Sequence, residues 1–168
     1  MLGPKRENTV TKPRIVLGIL ALAVVGCGNR SLPHEGKSVP ELQNMVASGD
    51  TDAQAQGALG LSVYGPQAKS SVPSLVKLLT SQRPVVRQEA AQALGKIGPD
   101  AAEAVPGLTE LLNDPEWVVR RQAALALGEI GEPSRPALPA LGRLEQDSQT
   151  RVRQAAHEAK ARIERTGG

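Results

Sequence analysis

Aromatic side chains are nearly absent from this sequence. Its 168 residues include no phenylalanine, one tryptophan and one tyrosine, although 40% of them are hydrophobic. A core built from plentiful alanine and leucine lets helices approach closely through small side chains, and it suits stacked helices better than a β-sandwich or a barrel. The composition therefore predicts an all-α fold.

Cysteine is equally scarce, and the single residue Cys27 excludes an internal disulfide framework or a multi-cysteine zinc site. The chain from Cys27 onward also has no net excess of basic or acidic side chains. The chain has 20 basic and 17 acidic side chains, of which four and one precede Cys27, so 16 of each remain. Because a neutral body lacks the basic footprint of a phosphate-binding protein, we predict no nucleic-acid partner.

The segment 1–26 is built like a secretory signal peptide. Its basic part, 1–14, is followed by an apolar run from Ile15 to Val25 and then by Gly26. This run is shorter than the roughly 20 residues that span a bilayer. With Cys27, the segment resembles the lipobox of bacterial lipoproteins, which implies a lipidated cysteine and a protein exported and anchored on the extracytoplasmic side of a bacterial membrane. The alternatives are an ordinary signal peptide or an uncleaved anchor in which Cys27 is incidental.

An internal repeat organises the rest of the chain. Residues 27–37 are polar and contain glycine and proline, which predicts a flexible tether that carries the lipidated cysteine. The segment VVRQEAAQALGKIG at 85–98 then returns as VVRRQAALALGEIG at 118–131, so the step between copies is 33. The same step separates four prolines that are each followed two residues later by leucine: Pro40, Pro73, Pro106 and Pro139. About four copies over 38–168 predict an α-solenoid, since one helix pair cannot bury its own apolar face.

The motifs within these copies resemble HEAT repeats of the phycobilisome-lyase-like type. The resemblance rests on the proline of the first helix, the turn Asp114-Pro115, Val-Val-Arg at the start of the second helix and Ala-Leu-Gly-x-Ile-Gly at its end. It covers about three quarters of the chain and is strongest in copies two and three. It implies a superhelix whose second helices line a concave binding surface.

The repeats also predict where helices begin and end. In the first copy, Ser38 and Glu41 can form a capping box, and Asp50 can cap a helix that runs from Thr51 to Tyr64.

In copies two and three, first helices are expected near 70–80 and 101–113, with a bend at Pro106. Asp114 is expected to cap the following helix, with Pro115 at its first position.

Ten apolar positions of the second helices are expected in the core because they fall at helical spacing. They are Val86, Ala90, Ala93, Leu94, Ile97, Val119, Ala123, Ala126, Leu127 and Ile130. In the fourth copy Lys160 takes the place of Leu94 and Leu127, as expected of a terminal repeat with a polar outer side.

An arginine recurs at one position of the repeat, as Arg87, Arg120 and Arg153. Such a row resembles a binding site. In the HEAT family, however, this arginine usually supports the ladder between neighbouring repeats, which implies bonds to turn carbonyls or to the turn aspartates Asp114 and Asp147.

Two histidines, His34 and His157, are each followed by glutamate, as are the iron ligands of HEAT-repeat deoxyhypusine hydroxylases. In that family the pairs directly follow the position of the recurrent arginine, where this chain has glutamine or arginine at 88, 121 and 154. Two isolated histidines do not make a two-metal site. We therefore predict no catalytic residue, no metal and no cofactor. The alternative is an accessory or enzymatic role like that of HEAT-repeat lyases and hydroxylases.

The remaining candidate for function is a surface. Trp117, Arg121 and Leu125 are spaced by four residues on one helix, away from its core face, and they are expected to face the groove. The same row contains Gln88 and Gln92 in copy two and Gln154 in copy four. Since tryptophan and arginine dominate interface hot spots, the sequence predicts a monomeric, non-enzymatic scaffold that binds a protein or peptide partner in this groove. Alternatively, Trp117 only covers the adjoining turn.

Overall fold

The computed structural model describes residue 32 and residues 34–167 of the chain. The expected signal peptide, 1–26, and Cys27 lie outside these residues, as does most of the expected tether. None of the described helices is long and apolar enough to cross a membrane.

The described residues form helices and turns, as the composition predicts, and they contain no strand. The α-helices are α1 (Val39–Val46), α2 (Thr51–Tyr64), α3 (Val72–Leu78), α4 (Pro84–Ile97), α5 (Val105–Glu110), α6 (Trp117–Ile130), α7 (Leu138–Leu144) and α8 (Thr150–Thr166). They form four pairs, in which the odd-numbered helix packs against the even-numbered helix that follows it. The all-α solenoid of about four repeats is thus confirmed.

The four second helices, α2, α4, α6 and α8, pack side by side in chain order and form one layer. Their close approach depends on glycine in two places. A Cβ atom added to Gly95 of α4 would lie 2.9 Å from the Cα of Ala126 on α6, and one added to Gly128 of α6 would lie 2.8 Å from the Cα of Ala159 on α8. The glycine of the Ala-Leu-Gly motif therefore sets the distance between neighbouring repeats.

The core is continuous across the repeats. All ten apolar positions expected in the core are at most 1% exposed. Gly65, Gly98 and Gly131 end the second helices of the first three copies with positive φ angles of 53°, 78° and 77°, which side chains rarely tolerate. In the fourth copy the ammonium group of Lys160 lies 3.0 Å from Glu145, so a charged pair replaces the buried leucine.

The first helices are shorter than the sequence suggests. Each of the expected helices near 70–80 and 101–113 is divided. A 3₁₀ segment precedes the α-helix in both, Gly65–Ser71 before α3 and Gly98–Ala104 before α5, and a second one, Leu111–Asn113, follows α5. The division follows from proline, which cannot donate to the carbonyl four residues earlier. Pro106 therefore stands at the second position of a new helix, and the irregular backbone precedes it at Ala101, where φ is −94° and ψ is 22°.

The caps of the first copy agree with the sequence, but the expected cap of α6 is wrong. The Glu41 carboxylate accepts hydrogen bonds from the Ser38 N–H and hydroxyl at 2.8 and 2.6 Å, and the Asp50 carboxylate accepts one from the Asp52 N–H at 3.0 Å.

Helix α6 begins at Trp117 with Glu116 as its N-cap, two residues later than Asp114 predicts. Asp114 is engaged elsewhere. Its Oδ1 atom accepts a hydrogen bond from the Glu116 N–H at 2.9 Å, and both of its oxygens bind Arg87. The aspartate therefore closes the turn and joins two repeats, and it does not cap the helix.

The recurrent arginines connect successive turns. Arg87 donates to both carboxylate oxygens of Asp114, at 2.7 and 2.9 Å, and to the carbonyl of Ser81 in its own turn at 2.7 Å. Arg120 makes the same bonds to Asp147, at 2.7 and 3.1 Å, and to the carbonyl of Asp114 at 2.8 Å. We call these two pairs the rungs. Because they are largely buried and bidentate, they are stronger than ordinary surface pairs.

The third recurrent arginine, Arg153, is bonded within its own turn among the described residues. Arg153 donates to the carbonyl of Asp147 at 2.8 Å, so it fastens only its own turn. In the second rung, the hydrogen bond from Arg120 is the main cause that lowers the pKa of Asp147 below its ordinary value.

The rungs can be tested against an exposed ion pair of the same type. The side chains of Arg87 and Asp114 are 11% and 4% exposed, whereas those of Arg83 and Asp52, which lie 3.5 Å apart, are 53% and 80% exposed. We expect Arg87→Ala to lower the free energy of unfolding by about 3–5 kcal/mol, because it leaves a buried carboxylate unpaired. Arg83→Ala should lower it by less than about 1 kcal/mol. Urea unfolding followed by circular dichroism measures both, and equal losses would contradict the structural role of the rung.

Candidate partner-binding groove

The stripe expected on α6 lies partly on the surface. Arg121 is exposed, whereas Trp117 and Leu125 are half-buried and pack against the core. Trp117 is the first residue of α6, where its ring lies beneath the guanidinium group of Arg151 from α8, 5.9 Å from the centroid. The ring therefore both covers the start of its own helix and supports a charged side chain of the next repeat.

A cleft lies on the surface between α6 and α8 beside this stripe. It is lined by Arg121, Leu125, Arg151, Gln154, Ala155 and Glu158, and its volume is about 270 Å³. Small-molecule pockets usually measure about 300–1,000 Å³, so the cleft is suited to one or two side chains of a larger partner. The structure thus brings three of the expected site residues together: Arg121, Leu125 and Gln154.

The charge in the cleft is unbalanced. Within residues 34–167, neither Arg121 nor Arg151 has a carboxylate oxygen within 4.0 Å. Glu158 contributes a negative charge, but Arg162 binds it at 2.7 Å within the same helix. The two guanidinium groups therefore give the cleft a positive potential beside the apolar surface of Leu125.

The other three expected site residues do not line the cleft. Trp117, the expected centre of the site, lies beside it under Arg151. Gln92 on α4 lies 3.5 Å from the Ser62 hydroxyl of α2, and the Gln88 amide donates to Glu89 at 3.4 Å. Both side chains are half-buried. The arginines of the ladder, Arg87, Arg120 and Arg153, are likewise bonded in the turns.

Sequence reasoning missed an unusual carboxylate on α4. Glu89 is half-buried, and its Oε2 atom is inaccessible to water and has no hydrogen-bond partner among the described residues. Burial raises the pKa of Glu89 above its ordinary value, although the nearby His34 opposes this. The repeat itself holds a signal that could have found it, because the corresponding residues Gln56, Gln122 and Ala155 are all neutral.

The two histidines lie at different places in the fold. His34 Nδ1 is 2.9 Å from the Gln56 amide oxygen of α2, and His157 is exposed on α8, with Nδ1 3.5 Å from Glu145. The turn that contains His34 is fastened to α2 again through the Tyr64 hydroxyl, which donates to the carbonyl of Lys37 at 2.8 Å. The described residues include no group of three or more metal-binding side chains arranged to hold an ion.

Comparison with protein families gives one match. Residues 39–105 and 72–161 match HEAT repeats, and this span covers both rungs and the whole cleft. No curated protein matches the chain.

Solved structures share the fold. An engineered protein is 28% identical over 76% of this chain and 62% of its own length, with a TM-score of 0.67, so the chain spans less than two thirds of it. The complex of CpcE and CpcF of phycocyanin lyase from Nostoc sp. PCC7120 is 22% identical over 73% of this chain and 79% of that one, with a TM-score of 0.60. Human deoxyhypusine hydroxylase in complex with glycerol is 24% identical over 78% and 45%, also with a TM-score of 0.60. At these identities the last two show a common fold alone.

The buried carboxylate predicts how stability depends on pH. Because the pKa of Glu89 is higher in the folded than in the unfolded chain, ionising it opposes folding at neutral pH, and this cost disappears below the ordinary value of 4.5. We therefore expect Glu89→Gln to raise the melting temperature near neutral pH and to lose this advantage as the pH falls below 4.5. Glu164→Gln, an exposed change on α8, should have little effect at either pH. A lower melting temperature of Glu89→Gln at neutral pH would contradict this, because it would show that the folded chain stabilises the ionised carboxylate.

Proposed function

This chain belongs to the HEAT-repeat family, and on that basis we propose that it is a non-enzymatic scaffold that binds a protein or peptide segment in the cleft between α6 and α8. The observation that carries the proposal is the cleft itself, where Arg121 and Arg151, without a carboxylate partner among the described residues, stand beside half-buried Leu125. Its side chains can bind charge, hydrogen-bonding groups and apolar surface. Solenoids use such extended surfaces for recognition.

The family also explains why the cleft is a suitable place for binding. The Arg120–Asp147 rung and the close contact of Gly128 with Ala159 join α6 to α8 at two places, so little conformational freedom is lost when a partner docks. The Trp117 ring adds a weak attraction for the guanidinium group of Arg151, 5.9 Å from its centroid, which favours a position of this charge beside the cleft.

We further propose that a lipid on Cys27 anchors the scaffold to the extracytoplasmic side of a bacterial membrane. The support is the sequence of the segment 1–27, in which a basic part and an apolar run precede a small residue and the cysteine. The first helix of the solenoid begins at Val39, so only a short tether would separate a lipid on Cys27 from the first repeat.

Crosslinking and co-purification from native membranes test the scaffold. We expect Leu125→Glu to abolish the capture of a specific protein, because it places a carboxylate in the floor of the cleft. Val63→Glu is the matched control, since Val63 lies on α2, outside the cleft, and is 77% exposed. Capture that survives Leu125→Glu in a variant with an unchanged circular dichroism spectrum would contradict the proposed site.

The anchor is tested separately in the same membranes. Cys27→Ser should release the protein from the membrane fraction or leave it unprocessed, because acyl chains supply the affinity. An unchanged mass and an unchanged membrane fraction would contradict lipidation without affecting the scaffold proposal.

A further inference from the structure

The two arginines of the cleft differ from most arginines of the fold. Arg87, Arg120 and Arg153 are bonded to turn carbonyls, and the first two also bind aspartates. Arg121 and Arg151 make no hydrogen bond or ion pair among residues 34–167, and the same is true of the exposed Arg143 and Arg165. Arg121 and Arg151 differ from those two because they line one cleft together, beside Leu125.

The position of Arg151 cannot be explained by helix stability. It lies in the first turn of α8, which begins at Thr150, and the N-terminal end of a helix already carries partial positive charge. A cation there is disfavoured, so Arg151 and the helix dipole reinforce one positive region. The guanidinium carbon of Arg151 lies 5.9 Å from the centroid of the Trp117 ring, and its N–H groups have no acceptor among residues 34–167, so they are available for a planar acceptor.

The one acidic side chain that lines the cleft is already compensated. Glu158 lines the cleft, but its carboxylate accepts a hydrogen bond from Arg162 at 2.7 Å. An incoming carboxylate therefore meets two positive groups and one neutralised pair, together with the apolar side chain of Leu125.

Resting on the proposed scaffold function, we propose that the cleft recognises an acidic peptide segment of a partner protein. The guanidinium groups of Arg121 and Arg151 bind aspartate or glutamate carboxylates of the segment, and Leu125 contacts a neighbouring apolar side chain. The cleft of about 270 Å³ suits side chains of this size. The chain's own segment 1–26 is a poor occupant because four basic side chains and one acidic side chain give it the same sign of charge as the cleft.

Selection of a random peptide library displayed on phage, with the purified full-length chain as bait, tests the chemistry of the partner. We expect the enriched peptides to combine acidic and apolar residues. Their binding can be followed through the fluorescence of Trp117, which is the only tryptophan of the chain.

Charge reversal provides the decisive comparison. Arg121→Glu/Arg151→Glu should weaken the enriched peptides by at least about tenfold. Arg143→Glu/Arg165→Glu, the same change at two exposed arginines outside the cleft, should leave affinity within about twofold. The neutral variant Arg121→Gln/Arg151→Gln should show an intermediate loss, and it keeps the test valid if charge reversal disturbs folding.

The outcomes separate this inference from the scaffold proposal. Enriched peptides without acidic residues, whose binding is lost in Leu125→Glu, would overturn the acidic partner and support the scaffold. Peptides whose binding is unaffected by the changes at Arg121 and Arg151 and also by Leu125→Glu would overturn both the acidic partner and the scaffold proposal. If instead the chain binds phosphatidylglycerol vesicles through Arg121 and Arg151 and selects no acidic peptide, the cleft serves a membrane surface and the inference is wrong.

Discussion

The bidentate rung between Arg120 and Asp147 is the interaction on which the cleft depends. Arg120 lies on α6 next to Arg121, and Asp147 lies in the turn that leads into α8, so the rung joins the two walls of the cleft at one end. The close contact of Gly128 with Ala159 joins the same two helices further along. Two fixed contacts determine how far apart the walls can lie, and the separation of Arg121 from Arg151 follows from them.

The second repeat has the same pair of contacts, Arg87 with Asp114 and Gly95 with Ala126, yet its groove side chains are mostly amides. The repeat thus sets the spacing of the helices, and individual side chains of copies three and four give the cleft its charge.

Much of the fold could be predicted because the same helix-pair pattern occurs four times in the sequence at one spacing. Helical spacing and capping preferences predict the apolar faces of α4 and α6, the glycines that end these helices and the capping box of α1. The repeat supports the first two predictions because the same pattern recurs in each copy. The start of α6 could not be predicted in this way. An aspartate before proline usually caps a helix, but Asp114 has a competing partner in Arg87 of the preceding helix pair, and this arginine takes both of its oxygens. Contacts between repeats decide such cases, and local sequence does not reveal them.

The lining of the candidate cleft could be predicted in part for the same reason. Helical spacing of four identifies Arg121 and Leu125 as neighbours, and the step of the repeat adds Gln154. Arg151 escapes sequence reasoning because it occurs among many charged residues of the last helix, where a solvated face is the ordinary interpretation. Only the packing of α8 on α6 places it above Trp117. Glu89, in contrast, could have been found from the sequence alone. It is the one acidic residue at a position of the repeat where the other copies have neutral residues.

The proposed recognition surface lies on the second helices, at the cleft between α6 and α8. Photo-crosslinking in native membranes tests this most directly, with a benzoylphenylalanine at Gln154 in the cleft and another at Glu110, an exposed position on α5. We predict that the probe at position 154 crosslinks one specific protein and that the probe at position 110 does not. A specific crosslink from position 110, with none from position 154, would place the interface on the first helices and contradict the proposed surface.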